Sequence, residues 1–204
     1  MSFYDELSKI DVDKFVSLVD SRTDADVERA IYKTTPRTVD DFAALISENA
    51  RKHYLDVMVQ EATQLTRKRF GRCVNMYLPL YLTNLCNNKC VYCGFSVMNK
   101  FKRVVLTMQE IEEELQAMNK MGYTNILLVS GENSHRAGMP YFREVLPLTK
   151  KYADYLQMEV QPLETEEYAE LKTLGLDAVS VYQETYHPGC YKQVHLGGKK
   201  ADMR

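Results

Sequence analysis

Three cysteines, Cys86, Cys90 and Cys93, stand in the spacing C-x3-C-x2-C. Thiolates are soft ligands that suit iron–sulfur chemistry, and three on one short loop can each hold one iron of a 4Fe–4S cluster. Such a cluster ordinarily takes four cysteines, so a local set of three leaves one iron open to a small molecule. An open, redox-active iron is a catalytic arrangement. A structural zinc site would need a fourth ligand at finger-like spacing, which neither Cys73, Cys190 nor a distant histidine supplies. A disulfide framework fits poorly with five cysteines, an odd number, and with an acidic start that lacks the basic and apolar regions of a signal peptide.

The elements that must carry this loop follow from the rest of the chain. Its 204 residues are 45% hydrophobic and 26% charged, which suits one large domain or one domain with an extension. No apolar stretch approaches the roughly 18 residues of a membrane span. A net charge of -2 gives no electrostatic case for nucleic acid. The expected compartment is the cytoplasm, whose reducing poise keeps thiolates available. The basic runs Arg67-Lys68-Arg69 and Lys199-Lys200 read as solvated surface.

Residues 1–72 read as a helical extension. Asp24 is placed to cap a helix running to Tyr32, and Thr38 to begin a longer one with acidic residues in its first turn. Apolar residues then recur at Phe42, Leu45, Ile46, Tyr54, Val57 and Met58, close to a helical period. A second stripe runs through residues 55–70, with Gly71 as its stop. From Cys73 strands and helices alternate. Strands are expected at 74–82, 125–130, 156–161 and 177–182, with Pro79 counting against a central place for the first. Helices are expected from Thr107, from Pro140 to Tyr152, and at 165–174. Thr107 and Glu110 form a capping-box pattern ahead of a stripe of Ile111, Leu115 and Met118. This alternation argues an α/β fold with a parallel sheet. A complete (β/α)8 barrel takes about 250 residues, so 73–204 amount to the first half of one. With no closing element expected after the fourth strand, either the sequence is a truncated piece of a longer enzyme, which is the favoured reading, or a partner completes the sheet.

Ligands of parallel α/β folds sit at the carboxyl ends of the strands, and polar residues fall there. They are Ser130-Gly131-Glu132-Asn133 after the second strand, Glu159 and Gln161 at the third, and Gln183-Glu184-Thr185 after the fourth. Gly131 is expected to let backbone approach a ligand, and Glu132 to offer a carboxylate. Tyr81, just before the cysteine loop, and His187, after the fourth strand, are candidates for a catalytic or substrate role. His135 and His195 fall near the same mouth. Cys73 reads as a packing residue, and Cys190 as part of a turn at 188–191.

Taken together these motifs resemble the radical S-adenosylmethionine (SAM) superfamily, whose C-x3-C-x-aromatic-C signature is matched by Cys86, Cys90, Tyr92 and Cys93. The resemblance implies a TIM-type barrel in which the three cysteines bind a 4Fe–4S cluster and SAM chelates the open iron. Reductive cleavage of SAM would then yield a 5′-deoxyadenosyl radical that takes a hydrogen from the substrate. It implies that Tyr92 lies near adenine, that Ser130-Gly131-Glu132 binds the methionyl amine, with serine for the first of the usual two glycines, and that Gln183 and Glu184 meet the SAM ribose or carboxylate. Glu159 belongs to the same cofactor-binding set. The runs Leu78 to Asn84, Cys93-Gly94-Phe95-Ser96, Met158 to Leu163 and Val181 to His187 resemble, more narrowly, the aromatic amino acid lyase branch and its tyrosine lyases of bacterial thiamine biosynthesis. That branch implies cleavage of the L-tyrosine Cα–Cβ bond to 2-iminoacetate (dehydroglycine) and p-cresol. The implied partners are thiazole synthase and a reducing donor such as flavodoxin or ferredoxin. A chain of this length alone is not expected to be a competent lyase. The alternatives are the related tyrosine lyase of hydrogenase maturation and a non-catalytic protein whose cysteines hold a metal.

Overall fold

Strand β1 (Leu78–Thr83) stands at an edge of the sheet, beside β2 (Asn125–Ser130) and with a bridge from Thr83 to Val105 only at its far end, and this edge position is what lets it carry Pro79. The structure is a computed structural model that describes residues 3–202. Met1, Ser2, Met203 and Arg204, which contribute to the chain ends read above, lie outside the described residues. Two compact units divide after Val74. Among the described residues no helix is long and apolar enough to cross a membrane.

The first unit is helical. It contains α1 (Phe3–Leu7), α2 (Val12–Asp20), α3 (Asp24–Ile31), α4 (Val39–Leu45), a π-helical turn (Ala50–Tyr54) and α5 (Leu55–Phe70). Thr23, not Asp24, caps α3, because only the residue before the first helical turn can aim its hydroxyl back at the free N–H groups. Thr38 caps α4 as expected, but the helix stops at Leu45 rather than running on. Phe42 and Ile46 are exposed, while Leu45, Tyr54, Val57 and Met58 pack on a small core of Val27, Ala30, Ile31, Ala44 and Ala50. α5 spans the residues expected of it but has no buried side chain.

The second unit is a parallel sheet in the order β1-β2-β3-β4 with helices between the strands. After β1 come α6 (Met108–Lys120), β2 (Asn125–Ser130), α7 (Met139–Lys150), β3 (Tyr155–Glu159), α8 (Thr165–Thr173) and β4 (Ala178–Ser180). Leu80, Leu128 and Met158 stand side by side across three strands, as do Pro79, Leu127 and Gln157. Because side chains alternate along a strand, the first row faces one side of the sheet and the second the other. Leu80, Leu82, Ile126, Leu128, Leu156 and Met158 are buried in one core with Ile111, Leu115 and Met118 of α6 and Phe142, Val145 and Leu146 of α7. Each fully buried side chain of this kind contributes about 1.5–3 kcal/mol. The opposite face, carrying Pro79, Tyr81, Leu127, Val129, Glu159 and Ser180, lines a cavity.

Candidate functional site

The cysteine loop leaves β1 and returns beside it, tied at its neck by three polar residues. Thr83 Oγ1 donates to the Val104 carbonyl at 2.6 Å and accepts from Leu85 N at 2.9 Å. Asn84 Oδ1 accepts from Val104 N at 2.8 Å. The Arg103 guanidinium donates to the carbonyls of Asn84 (2.6 Å), Phe95 (2.8 Å), Ser96 (2.7 Å) and Asn99 (3.1 Å). A planar fork with five N–H donors is the group able to gather carbonyls from both ends of one loop. Phe101 lies 4.0 Å from the same guanidinium, in cation–π contact.

The other side of the loop is held by chain a hundred residues away. A helix, α9 (Pro188–Val194), follows β4, then an extended strap and a 3-10 turn (Lys199–Ala201). Lys89 N donates to Gly197 O at 2.8 Å, Leu196 N to Lys89 O at 2.7 Å, and Val91 N to Val194 O at 3.0 Å, so the strap pairs antiparallel with the loop at Cys90 and His195. This corrects one expectation: residues 188–191 are helical rather than a turn, with Cys190 exposed on the helix. The chain after β4 covers the cysteine loop, while β4 still ends the sheet as expected. His195 is buried against Tyr191, its ring centroid 4.0 Å away. Its Nδ1 lies 3.0 Å from the Tyr191 carbonyl, which can only accept, so Nδ1 carries a proton. Its Nε2 lies 2.8 Å from the Tyr92 hydroxyl oxygen. Glu184 Oε2 stands 3.3 Å from the same nitrogen, and Lys200 Nζ donates to Glu184 Oε1 at 2.5 Å.

These pieces surround a cavity of about 490 Å³ at the carboxyl ends of the strands. Cys86, Cys90 and Cys93 all line it, the first two buried and the third half-buried. Burial pushes the Cys90 thiol up, against the pull of the Lys200 ammonium. Burial likewise raises the Glu159 carboxyl, again opposed by Lys200. For Glu184 burial disfavours the charge, but hydrogen bonds from Lys200 and Tyr92 outweigh it and bring the carboxyl to about 2. Tyr92 is pushed well above the ordinary phenol range, first by burial and then by Glu184. Among the described residues no three His, Cys, Asp or Glu side chains converge as the ligands of a single metal ion would. A 4Fe–4S cluster takes its thiolates on different irons, so its ligands need not converge in that way.

Of the residues singled out in the sequence, Tyr81, Tyr92, Ser130, Gly131, Glu132, Glu159 and Glu184 share this cavity with the three cysteines. Gln183 and His187 are not among its lining residues. Gln183 reaches only the Thr185 carbonyl at 3.4 Å, and His187 caps α9 by accepting from Cys190 N at 3.2 Å. Gly131 approaches chain rather than open space. A Cβ there would collide with the Leu85 carbonyl and come within 3.1 Å of the Cys86 Cβ. Cys73 is exposed, not packed. Sequence reasoning passed over Asn88, Arg103 and Lys200. Lys200 belonged to a run read as solvated surface, yet it lines the cavity. Only the position of Asn88 inside the cysteine motif could have flagged it.

Residues 80–204 match the Radical SAM superfamily. The chain is 48% identical over 202 residues to the 2-iminoacetate synthase of Salmonella typhimurium and 49% identical to that of Escherichia coli, in each case across 99% of this chain and 53% of the relative. It thus spans about half the length of the curated relatives it matches. The X-ray structure of the FeFe-hydrogenase maturase HydG from Carboxydothermus hydrogenoformans superposes with a TM-score of 0.77 at 26% identity, covering 98% of this chain and 46% of HydG. With a family match over more than half its length, on a parallel sheet whose strand ends meet a three-cysteine loop, this chain belongs to the radical SAM superfamily.

Proposed function

We propose that this chain carries the cluster- and SAM-binding part of a carbon–carbon lyase that splits the Cα–Cβ bond of L-tyrosine to 2-iminoacetate and p-cresol, for the thiazole of thiamine. The family implies a 4Fe–4S cluster and SAM. In this reading Cys86, Cys90 and Cys93 hold three irons, and residues 1–72 form an extension to the barrel begun at 73–204. The observation that carries the reading is that one cavity is lined by all three thiols and by polar groups from successive strand ends. The lining fits such a ligand. Ser130 Oγ and Gln161 Oε1 are buried without a hydrogen-bond partner, a cost that a polar ligand removes. Sequence identity near half, against 26% for HydG, supports the thiamine-type lyase better than the hydrogenase-maturation alternative.

When bound, the cluster and SAM supply the electron and the carbon radical that begin the cleavage. The chain's own residues bind and shield. The Glu132 carboxylate, accepting from Asn88 Nδ2, is a counter-charge for the methionyl ammonium. Glu184, ionised beside Lys200, and Glu159 would offer acceptors to the ribose, and Tyr92 would meet the adenine. Tyr81, which lines the cavity edge-on to Phe95 with ring centroids 6.0 Å apart, is our candidate for contact with substrate. Leu127, Val129 and Val160 make the remaining wall apolar, which keeps water from reactive species. Gln183 and His187 are not carried forward. Thiazole synthase, a flavodoxin- or ferredoxin-type donor and a cytoplasmic location complete the proposal.

The test is anaerobic reconstitution followed by electron paramagnetic resonance (EPR) of the reduced protein with and without SAM. A 4Fe–4S signal that changes with SAM and is lost in Cys86→Ala is expected. A colourless zinc protein, or a cluster blind to SAM, would sink the proposal.

A further inference from the structure

Asn88 occupies an unspecified position of the cysteine motif, yet it is 2% exposed and its carbonyl oxygen, Oδ1 and Nδ2 are each hydrogen-bonded. Its carbonyl accepts from Val97 N at 2.9 Å, closing the loop on itself. Its Oδ1 accepts from Lys200 N at 3.0 Å, tying the loop to the strap. Its Nδ2 donates to Glu132 Oε2, tying the loop to the segment after β2. The neighbouring Asn87 strengthens that seam, since Asn87 N donates to Glu132 O at 3.0 Å and Asn133 Nδ2 to Asn87 Oδ1 at 3.0 Å. The strap comes so close that a Cβ on Gly198 would lie 2.7 Å from the Asn88 Cα, and Gly198 has φ of 85°. Glycine is the residue that tolerates both.

The geometry points to Asn88 as a positioning residue that aims the Glu132 carboxylate into the cavity while registering the cysteine loop against the strap. This inference rests on the SAM reading of the site and deepens it. A carboxylate has two oxygens and a rotatable stem, so holding one oxygen by an amide N–H fixes where the other points. Preorganisation of that kind lowers what a ligand must spend on ordering the side chain.

Asn88→Asp isolates the contact. The replacement keeps an acceptor for Lys200 N but sets a carboxylate against Glu132 where a donor stood. Losing a charge-assisted hydrogen bond of this kind is expected to weaken SAM binding about tenfold, read as an EPR titration of the reconstituted chain, with iron content unchanged. The double variant N88D/E132Q exchanges amide and carboxylate and so restores the loop-to-loop hydrogen bond. It should recover amide-exchange protection at Asn87 and Val97 in the cofactor-free chain without recovering SAM affinity, because the charge then sits on the wrong residue. Wild-type SAM affinity in N88D overturns the inference, and so does a double variant that recovers affinity along with protection, since Asn88 would then serve packing alone. A wild-type cluster that ignores SAM overturns the underlying reading as well, and the wild-type arm makes the two failures distinguishable.

Discussion

Replacing Gly131 with alanine adds one methyl group at the seam between the second strand's end and the cysteine loop. Gly131 N donates to Thr83 O at 3.0 Å, so its backbone is anchored to the neck of the loop. An added Cβ would overlap the Leu85 carbonyl oxygen, stand 2.9 Å from the Leu85 carbonyl carbon, and press on the Cys86 Cβ. The obstacle is backbone, which cannot rotate away as a side-chain tip can, and Leu85 N is itself held by Thr83 Oγ1. Gly131 is not among the glycines with positive φ, so the penalty is steric rather than conformational. Overpacking of this kind costs about 1–3 kcal/mol. At a midpoint of about 2 kcal/mol, a chain of this size should melt roughly 4–8 °C lower. Cys86 would also be displaced, so reconstituted iron content should fall with the melting temperature. Gly94→Ala is the control, because a Cβ there meets nothing within 4 Å. Thermal melts of the cofactor-free chain, with iron assays after reconstitution, decide the matter. If G131A melts and loads like G94A, the close approach does not set the loop, and the reasoning fails.

Arg103→Lys should loosen the cysteine loop, because one ammonium cannot reach the four carbonyls that the guanidinium gathers. A loss of about 1.5–3 kcal/mol is expected from hydrogen bonds to a charged group, read as a lower urea midpoint and faster amide exchange across the loop. An unchanged midpoint would refute this. The Glu184 carboxyl is brought to about 2, below its ordinary 4.5, with hydrogen bonds from Lys200 and Tyr92 outweighing burial. A depressed carboxyl contributes stability that is whole above pH 4.5 and is lost as the pH falls toward 2. Between those values wild type should therefore lose stability more steeply than Glu184→Gln, measured by urea unfolding at stepped pH. Parallel slopes would show that the pair with Lys200 contributes nothing.

Much of the fold was legible in the chain because its signals are local. The capping box at Thr107 and Glu110, the stripe of Ile111, Leu115 and Met118, and the short apolar run of β2 each act within one element, and each appears where expected. The failures came where a neighbour decided. The apolar period from Phe42 to Met58 suggested one long helix, but α4 ends at Leu45, and Phe42 and Ile46 are exposed. Pro79, by contrast, counted against a central strand, and β1 does stand at an edge.

The same division runs through the site. Sequence by itself determined the chemistry: soft thiolates at Cys86, Cys90 and Cys93, and carboxylates at Glu132, Glu159 and Glu184 beside strand ends. Those are properties of residue type and spacing, which survive without coordinates. Tertiary structure alone decided what holds them. Arg103 binds carbonyls on both sides of the loop, the strap around His195 lies a hundred residues from the cysteines it covers, and Asn88 joins segments 44 and 112 positions distant. Contacts between segments so far apart leave no periodicity to read, because their partners are chosen by the closure of the fold rather than by the local chain.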